Sequence, residues 1–192
     1  KDDNEIKKDL ELLVSQIDRC GEILKKLTLN PTIEDEFIDR DITISDYISE
    51  IIKSFQKISE KKFIQDTEED KNPINITKSI EIVYGLRNFI GNANKFSKSK
   101  VFIKIKTTND FSEIIIEDDG EGYPSDVLNK IGEPYIKSLK SNVKSKSGLG
   151  LGIFIGKTLL EKNFASISCK NSKKETGAKV IIKWKNKDLL NL

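Results

Sequence analysis

Three glycines at alternate positions stand directly before an apolar run. In "KSKSGLGLGIFIGKTLLE", Gly148, Gly150 and Gly152 mark the point where a loop turns into a helix predicted over about 149–163. Backbone N–H groups at a helix start, freed of side-chain bulk, favour an anion such as phosphate. The alternative is a glycine-rich helix start packed closely on a sheet. The spacing matches neither a P-loop, which needs a following Lys-Ser/Thr pair, nor the G-x-G-x-x-G dinucleotide fingerprint.

Composition excludes several classes of function. The 192 residues carry 33 basic and 31 acidic side chains, a net charge of +2 that gives no support to nucleic-acid binding. Apolar runs are too short to span a membrane, and the charged start "KDDNEIKKDLE" is not a signal peptide. With only Cys20 and Cys169, a disulfide scaffold is excluded, so we expect a cytoplasmic location without direct membrane contact.

Residues 4–29 predict one long helix. Its apolar residues alternate spacings of four and three: Ile6, Leu10, Leu13, Ile17, Cys20, Leu24 and Leu27. One helix cannot bury such a seam alone, so the pattern predicts a homodimer through this helix. We assign residues 1–30 to the helix, 31–44 to a linker that opens on a proline, and 45–192 to a second domain.

From residue 45 onward, helices and strands alternate. "SDYISEIIKSFQKIS" predicts an amphipathic helix capped by Ser45, "KFIQDTE" a short strand, and a second helix runs from about Ile76 to Phe96, with Thr77 near its start. "KVFIKIKTT" and "SEIIIED" predict strands joined by the hairpin turn "TNDF". A long loop spans 119–147, and "SISCK" and "AKVIIKW" predict a second hairpin. This order predicts an α/β fold, a two-layer α/β sandwich with a largely antiparallel sheet.

Asparagines line one face of the second predicted helix. Asn88 and Asn92 are four residues apart, and Lys95 follows on the same face. Amide oxygens suit Mg²⁺, which keeps phosphates and waters in its shell, and a lysine there can reach a phosphate. The alternative is an ordinary polar helix surface.

An acidic, glycine-containing turn follows the second strand of the first hairpin. In "EDDGEGYP", Asp118 can accept a hydrogen bond from an exocyclic amine such as that of adenine. Gly120 and Gly122 allow the backbone to approach a ligand. The alternative is a common Asp/Gly-rich turn.

Together, these segments resemble the catalytic and ATP-binding domain of sensor histidine kinases, a branch of the ATPase superfamily shared with gyrase and the heat-shock chaperone. "NFIGNA" is similar to the N box, "DDGEGYP" to the first glycine box, "IGEPYIK" to the F box with Tyr135 for phenylalanine, and "SGLGLGIFI" to the second glycine box. "TGAKVIIKW" resembles the closing strand. The resemblance covers nearly all of 45–185 and implies a Bergerat-type ATP-binding fold preceded by one long dimerisation helix.

The resemblance also implies ATP and Mg²⁺ as cofactors and assigns the site. Asn88, Asn92 and Lys95 are the implied catalytic residues, with Asn92 the Mg²⁺ ligand. Asp118 would bind the adenine amine. The implied nucleotide-binding residues are Asn88, Asn92, Lys95, Asp118, Gly120, Gly122, Tyr135, Lys137, Gly148, Leu149, Gly150, Leu151, Gly152 and Thr176. The stretch between Gly122 and Gly148 would be a mobile lid whose lysines either close onto phosphates or are simply solvated.

The first helix resembles a narrower group. "LELLVSQIDRCGEILKKL", residues 10–27, is similar to the second helix of the dimerisation and phosphotransfer domain of RegB/PrrB-type redox-responsive kinases. That similarity makes Cys20 a redox candidate, although a cysteine on a heptad seam is equally a small core residue. Gly21 stands where that group usually has arginine, which removes a positive charge that would favour the thiolate. We interpret Cys169 as structural.

The implied function is transfer of the ATP γ-phosphoryl group to a histidine and relay to an aspartate of a response regulator. The chain has no histidine, so we expect the acceptor upstream of Lys1, in a parent anchored in the bacterial inner membrane. The alternatives are an anti-sigma-type serine kinase, an ATPase of the same superfamily, or a nucleotide-binding regulatory module without catalysis. The hydrolases place a glutamate four residues before the Mg²⁺ asparagine, where this chain has Asn88.

Overall fold

The structure is a computed structural model that describes residues 14, 42–69, 74–76, 79–136, 150–172 and 177–190. The chain divides into two compact units, residues 1–38 and 39–192. In the first unit only Val14 is described, and it is helical and exposed. The long helix predicted over 4–29, its heptad seam and Cys20 therefore lie outside the described residues.

The second unit combines helices with two sheets. The α-helices are α1 (Ile44–Gln56), α2 (Ile80–Phe96), α3 (Gly152–Lys162) and the short α4 (Asn186–Leu189). The strands are β1 (Ile42–Thr43), β2 (Lys62–Glu69), β3 (Asn75–Ile76), β4 (Lys100–Thr107), β5 (Phe111–Asp118), β6 (Ser166–Asn171) and β7 (Ala178–Lys185). Among the described residues, no helix is both long and apolar enough to cross a bilayer.

The main sheet has five strands in the order β2-β4-β5-β7-β6. Strand β2 pairs with β4 in parallel, whereas the other three pairings are antiparallel. In both predicted hairpins, β4–β5 and β6–β7, the two strands are neighbours in this sheet. The two-residue strands β1 and β3 form a separate antiparallel pair. The predicted α/β sandwich with a largely antiparallel sheet is confirmed.

The sheet buries one face and exposes the other. Residues at alternate positions of the central strands are buried beneath the helices: Val101, Ile103, Ile105, Ile114, Ile116, Val180 and Ile182. The opposite face carries charged pairs, such as Lys104 with Asp66 at 3.2 Å and with Glu68. Because only one face is apolar, a single layer of helices completes the core.

The structure corrects the start of the first helix in this unit. Thr43, not Ser45, is the N-cap of α1, and its Oγ1 accepts a hydrogen bond from the Asp46 N–H at 3.1 Å. The Asp46 carboxylate reaches back to the Thr43 N–H at 3.4 Å, which completes a capping box. Thr43 was missed because Ser45 is also a good capping residue and lies nearer to the apolar run.

The second helix also begins later than predicted. Ser79 caps α2 by accepting a hydrogen bond from the Ile82 N–H at 3.4 Å, so the helix starts at Ile80. Ile76 belongs instead to β3, where its backbone pairs with Ile42, and Thr77 lies outside the described residues. Local periodicity could not reveal this pairing because the partner strand is more than thirty residues away in sequence.

Helices α2 and α3 cross in close contact at two glycines. A Cβ atom on Gly85 would lie 2.5 Å from Cγ of Leu160, and one on Gly156 would lie 3.0 Å from Cβ of Asn88. Only glycine permits this approach without displacing the neighbouring helix. The crossing sets the start of α3, at Gly152 rather than near residue 149, beside the asparagine-bearing face of α2.

Candidate active site

The asparagine face of α2 is held in a defined orientation. Asn88 is partly buried, and its Nδ2 donates to the carbonyl oxygen of Tyr84 at 2.8 Å. This bond turns Oδ1 away from its own helix and toward α3, where a Cβ on Gly152 would lie 3.6 Å from it. Asn92 is also partly buried, one turn further along α2. One asparagine oxygen therefore faces the glycines predicted to bind phosphate.

Lys95 continues the same helix toward its C-terminal end. The side chain is partly buried, and Nζ lies 5.3 Å from the centre of the Phe96 ring. A cation over an aromatic face at this distance is attracted by the ring. Phe96 itself is 45% exposed, an uncommon state for so large an apolar side chain. The Lys95 ammonium group thus lies beside the Phe96 ring at the end of the asparagine face.

The start of α3 has the features of an anion-binding helix terminus. Its N-cap residue is Leu151, whose side chain offers no oxygen to the first N–H groups. Gly150 has φ +70, and a Cβ there would overlap the carbonyl oxygen of Ile136 and lie 3.0 Å from the carbonyl carbon of Tyr135. Glycine is therefore required at 150 for conformation and for space. The uncapped N–H groups and the helix dipole favour a negative group.

Asp118 ends β5 and is buried at 2% exposure. Its Oδ1 accepts hydrogen bonds from the N–H of Gly120 at 2.8 Å and of Ala178 at 3.3 Å. Backbone closes around it, because a Cβ on Gly120 would lie 2.7 Å from Oδ1 and one on Gly177 would lie 2.5 Å from Oδ1. Main-chain donors thus hold this carboxyl group in place, and its oxygens are acceptors suited to an amine.

Asp119 is a structural residue that the sequence interpretation missed. Its carboxylate accepts hydrogen bonds from the N–H groups of Lys98 (2.8 Å), Ser99 (3.0 Å) and Lys100 (3.1 Å), and from the Ser99 hydroxyl (2.6 Å). Burial alone would raise the pKa of Asp119, but these bonds outweigh it and hold the pKa well below its usual range. Asp119 thus joins the segment after α2 to the end of β5.

The predicted F-box segment lies against α3. Gly132 has φ +95, and a Cβ there would lie 2.7 Å from Cδ of Lys157. Tyr135 also has a positive φ, of 62, and its side chain is 66% exposed. The backbone next to Tyr135 contacts Gly150, so this segment meets the second glycine box. Neither "DDG" nor "IGEP" could predict these contacts from the sequence, because the contacting residues lie elsewhere in the chain.

Several predicted site residues lie outside the described part of the chain. They are Lys137, Gly148, Leu149 and Thr176, together with the later part of the predicted lid. The structure brings the remaining ones to one end of the main sheet: Asn88, Asn92, Lys95, Asp118, Gly120, Gly122, Tyr135, Gly150, Leu151 and Gly152. This end is where β5 finishes, α2 ends and α3 begins.

This arrangement combines amide oxygens, an uncapped helix start and a buried carboxylate. The described residues contain no cluster of three or more His, Cys, Asp or Glu side chains suited to a metal ion. Two neutral amides fit a Mg²⁺ ion whose remaining ligands come from phosphates and water. The site therefore offers side-chain oxygen ligands to a cation and backbone N–H donors to an anion at the same end of the sheet.

Comparison with known proteins gives the family. The profile of the family "Histidine kinase-, DNA gyrase B-, and HSP90-like ATPase" matches residues 77–188. The sensor histidine kinase RegB of Cereibacter sphaeroides is 31% identical over 176 residues, which cover 87% of this chain and 37% of that protein. A putative NtrY-like sensor histidine kinase of Rickettsia conorii is 30% identical over 90 residues, covering 47% of this chain and 14% of that protein.

Solved structures share the fold. The mycobacterial sensor histidine kinase MprB superposes with a TM-score of 0.63 at 17% identity, covering 76% of this chain and 97% of that one. Full-length ShkA in complex with AMPPNP gives 0.62 at 17% identity, covering 91% of this chain and 38% of that one. The chain spans just over a third of RegB, and the match includes most of the asparagine, glycine and carboxylate segments above. The chain therefore belongs to the family of histidine kinase-, gyrase B- and HSP90-like ATPases, as an ATP-binding catalytic domain of the sensor histidine kinase type.

Proposed function

We propose that this chain binds Mg·ATP and transfers the γ-phosphoryl group to a histidine outside the chain, for relay to an aspartate of a response regulator. The observation that carries the proposal is the meeting of α2 and α3. There, Oδ1 of Asn88 faces Gly152 at the uncapped start of α3. A metal-bound triphosphate needs oxygen ligands for the cation and N–H donors for the phosphates, and this junction offers both.

The proposed roles follow the chemistry of each side chain. Asn92, with Asn88, would hold Mg²⁺, and Lys95 would contact a phosphate. Asp118 would accept a hydrogen bond from the adenine amine, and Gly120, Gly122, Gly150, Leu151, Gly152 and Tyr135 would form the walls around the nucleotide. Lys137, Gly148, Leu149 and Thr176 complete the set that family resemblance assigns.

The absence of a glutamate at position 88 favours transfer over hydrolysis. An amide cannot take a proton from water, so Asn88 cannot serve as a general base. A neutral imidazole already has a nucleophilic lone pair and needs no base. With Mg²⁺ bound, the metal would neutralise charge on the transferring phosphoryl group, and the chain's own residues would orient it.

The transfer test supplies the missing acceptor. The chain is incubated with radiolabelled ATP, alone and with a separate fragment carrying a histidine-bearing helix of the parent protein. We expect label only on the added helix, in an acid-labile and base-stable product typical of phosphohistidine. Acid-stable label on the isolated chain would contradict the proposal and favour the serine-kinase alternative.

The binding test separates the metal site from the base site. By calorimetry, Asn92→Ala should weaken Mg·ATP binding through the metal, and Asp118→Ala should weaken it through adenine, each by about tenfold or more. Asn186→Ala, at the opposite end of the sheet, is the matched control and should bind normally. Wild-type affinity in both site variants would contradict the assignment. Binding without any phosphoryl transfer would favour the regulatory-module alternative.

The proposed setting follows the sensor kinases that the chain resembles. We propose a homodimer through the helix predicted over 4–29, a response regulator as partner, and a cytoplasmic position in a membrane-anchored parent. Sedimentation at several concentrations tests the dimer, because a monomer at all of them would contradict it. The similarity to RegB supports Cys20 as a redox candidate that forms an interchain disulfide. Non-reducing gels of wild type and Cys20→Ala should then differ after oxidation.

A further inference from the structure

Tyr123 places a buried hydroxyl beside the candidate nucleotide site. It follows Gly122 in the turn after β5, and its hydroxyl oxygen is buried without a hydrogen-bond partner among the described residues. Native proteins keep few such groups, because a buried donor that has lost its water and gained no partner is costly. The hydroxyl is not needed to hold the turn, so its retention calls for another explanation.

The main chain fixes the position of this tyrosine. The N–H of Tyr123 donates to Oδ1 of Asn171 at 2.7 Å, and Nδ2 of Asn171 donates to the Tyr123 carbonyl at 3.0 Å. Gly122, with φ 78, turns the chain directly before it. Asn171 ends β6, so both main-chain polar groups of Tyr123 bond to the end of that strand. The ring is therefore placed by backbone contacts that do not involve the hydroxyl.

The neighbours of the hydroxyl are Cys169 and Asp118. Burial raises the pKa of Tyr123 well above its usual value, and the nearby Cys169 and Asp118 raise it further. The phenol therefore stays protonated and remains a donor. A thiol is only a weak hydrogen-bond partner, and burial also raises the pKa of Cys169, so it stays a thiol. An acceptor carboxylate and a donor hydroxyl thus lie close together at the end of β5.

We propose that the Tyr123 hydroxyl is a specificity-determining contact that donates to an acceptor nitrogen of the purine base, while Asp118 accepts from the exocyclic amine. Adenine presents a donor amine beside an acceptor ring nitrogen, which complements this pair. Guanine presents the reverse order, a carbonyl acceptor beside an N–H donor, which would set its carbonyl oxygen against the Asp118 carboxylate and give the Tyr123 O–H no ring acceptor. This inference rests on the proposed function, because it assigns a further residue to the same site.

The test is Tyr123→Phe, which keeps the ring and removes only the hydroxyl. The nucleotide-free protein should melt a few degrees higher, because an orphaned polar group has gone. Affinity for Mg·ATP should fall about fivefold to tenfold, and the preference for ATP over GTP should fall by a similar factor. Affinity for magnesium-bound inorganic triphosphate, which has no base, should be unchanged. A purely structural tyrosine would not separate ATP from triphosphate.

Tyr47→Phe is the matched control. Tyr47 is buried, and its hydroxyl, unlike that of Tyr123, has a partner: it accepts a hydrogen bond from the Ser79 N–H at 2.7 Å. Its removal should lower the melting temperature and leave ATP affinity unchanged. The inference is overturned if Tyr123→Phe binds Mg·ATP as tightly as wild type, or loses ATP and triphosphate equally. Wild-type protein that binds no nucleotide would overturn the proposed function as well, so the two failures are distinguishable.

Discussion

The two ends of the five-stranded sheet satisfy their buried polar groups differently. At the far end, where β4 turns into β5 and α4 follows β7, the Ser112 hydroxyl donates to Oδ1 of Asn186 at 2.8 Å. Nδ2 of Asn186 in turn donates to the Thr108 carbonyl at 2.6 Å. At the site end, glycines bring backbone against backbone, and the Tyr123 hydroxyl is left without a partner among the described residues.

This difference indicates that the far end serves stability and that the site end serves ligand binding. Closed hydrogen-bond networks at the far end hold the hairpin and α4 in place and offer nothing to a ligand. The site end keeps an uncapped helix start, a carboxylate and a hydroxyl that a ligand can satisfy. We therefore expect far-end changes to alter stability and leave nucleotide affinity unchanged, and changes that reach the ligand-facing groups of the site end to alter nucleotide affinity. Four substitutions test this expectation, from the largest effect to the smallest.

Gly177→Ala should have the largest effect. Its Cβ would overlap the Asp118 backbone and lie 2.5 Å from Oδ1, so either the end of β5 or the residue leading into β7 must move. We expect a loss of about 3 kcal/mol in unfolding free energy, typical of severe overpacking, together with loss of ATP binding. Urea denaturation and calorimetry measure the two effects. Gly91→Ala is the control, because a Cβ there meets only the Phe55 ring at 3.3 Å. A Gly177→Ala protein of normal stability would contradict the close approach.

Asn186→Ala tests the far end. The substitution leaves the fully buried Ser112 hydroxyl and the Thr108 carbonyl without this partner. We expect a loss of about 2 kcal/mol in unfolding free energy and an unchanged affinity for Mg·ATP. Chemical denaturation and calorimetry on the same preparation check both. Weakened ATP binding in a folded Asn186→Ala protein would contradict the expectation that far-end changes leave nucleotide affinity unchanged.

Asp119→Asn tests a polar network on the site end that is already satisfied. We expect a loss of about 1.5 kcal/mol at neutral pH, because an amide accepts more weakly than a carboxylate. The folded pKa of Asp119 is depressed, so its contribution is present above the unfolded pKa of about 4 and is lost as pH falls through the folded pKa. Urea denaturation should therefore show a smaller difference in unfolding free energy between wild type and variant at about pH 3.5 than at pH 7. A free-energy difference that stays constant or grows in acid would contradict stabilisation by the ionised Asp119 carboxylate.

Phe164→Gly should have the smallest effect, and it should stabilise. Phe164 follows α3 at the far end with φ 62, a left-handed conformation that side chains disfavour, and is 63% exposed. Glycine adopts this conformation freely, so we expect a gain of about 1 kcal/mol and unchanged nucleotide affinity. Thermal melting checks the gain. Destabilisation would show that the Phe164 ring contributes contacts that outweigh the backbone strain.

Much of the fold could be predicted from the sequence. Alternating apolar residues in "KVFIKIKTT" and "AKVIIKW" marked strands with one buried face, because each strand's period of two is a local property. The glycines at 150 and 152 and the asparagines at 88 and 92 marked segments suited to phosphate and Mg²⁺ for the same reason. The chemical preference belongs to the residue types and their spacing.

Only the tertiary structure decided which distant groups meet. Helix α2 starts at Ile80 rather than near the predicted Ile76, because Ile76 pairs with Ile42 in the small sheet. Asp119 and Tyr123 gained their roles from partners in the segment after α2 and at the end of β6. Sequence determines local periodicity and side-chain chemistry, whereas burial, pKa and hydrogen-bond partners depend on which segments the sheet places side by side.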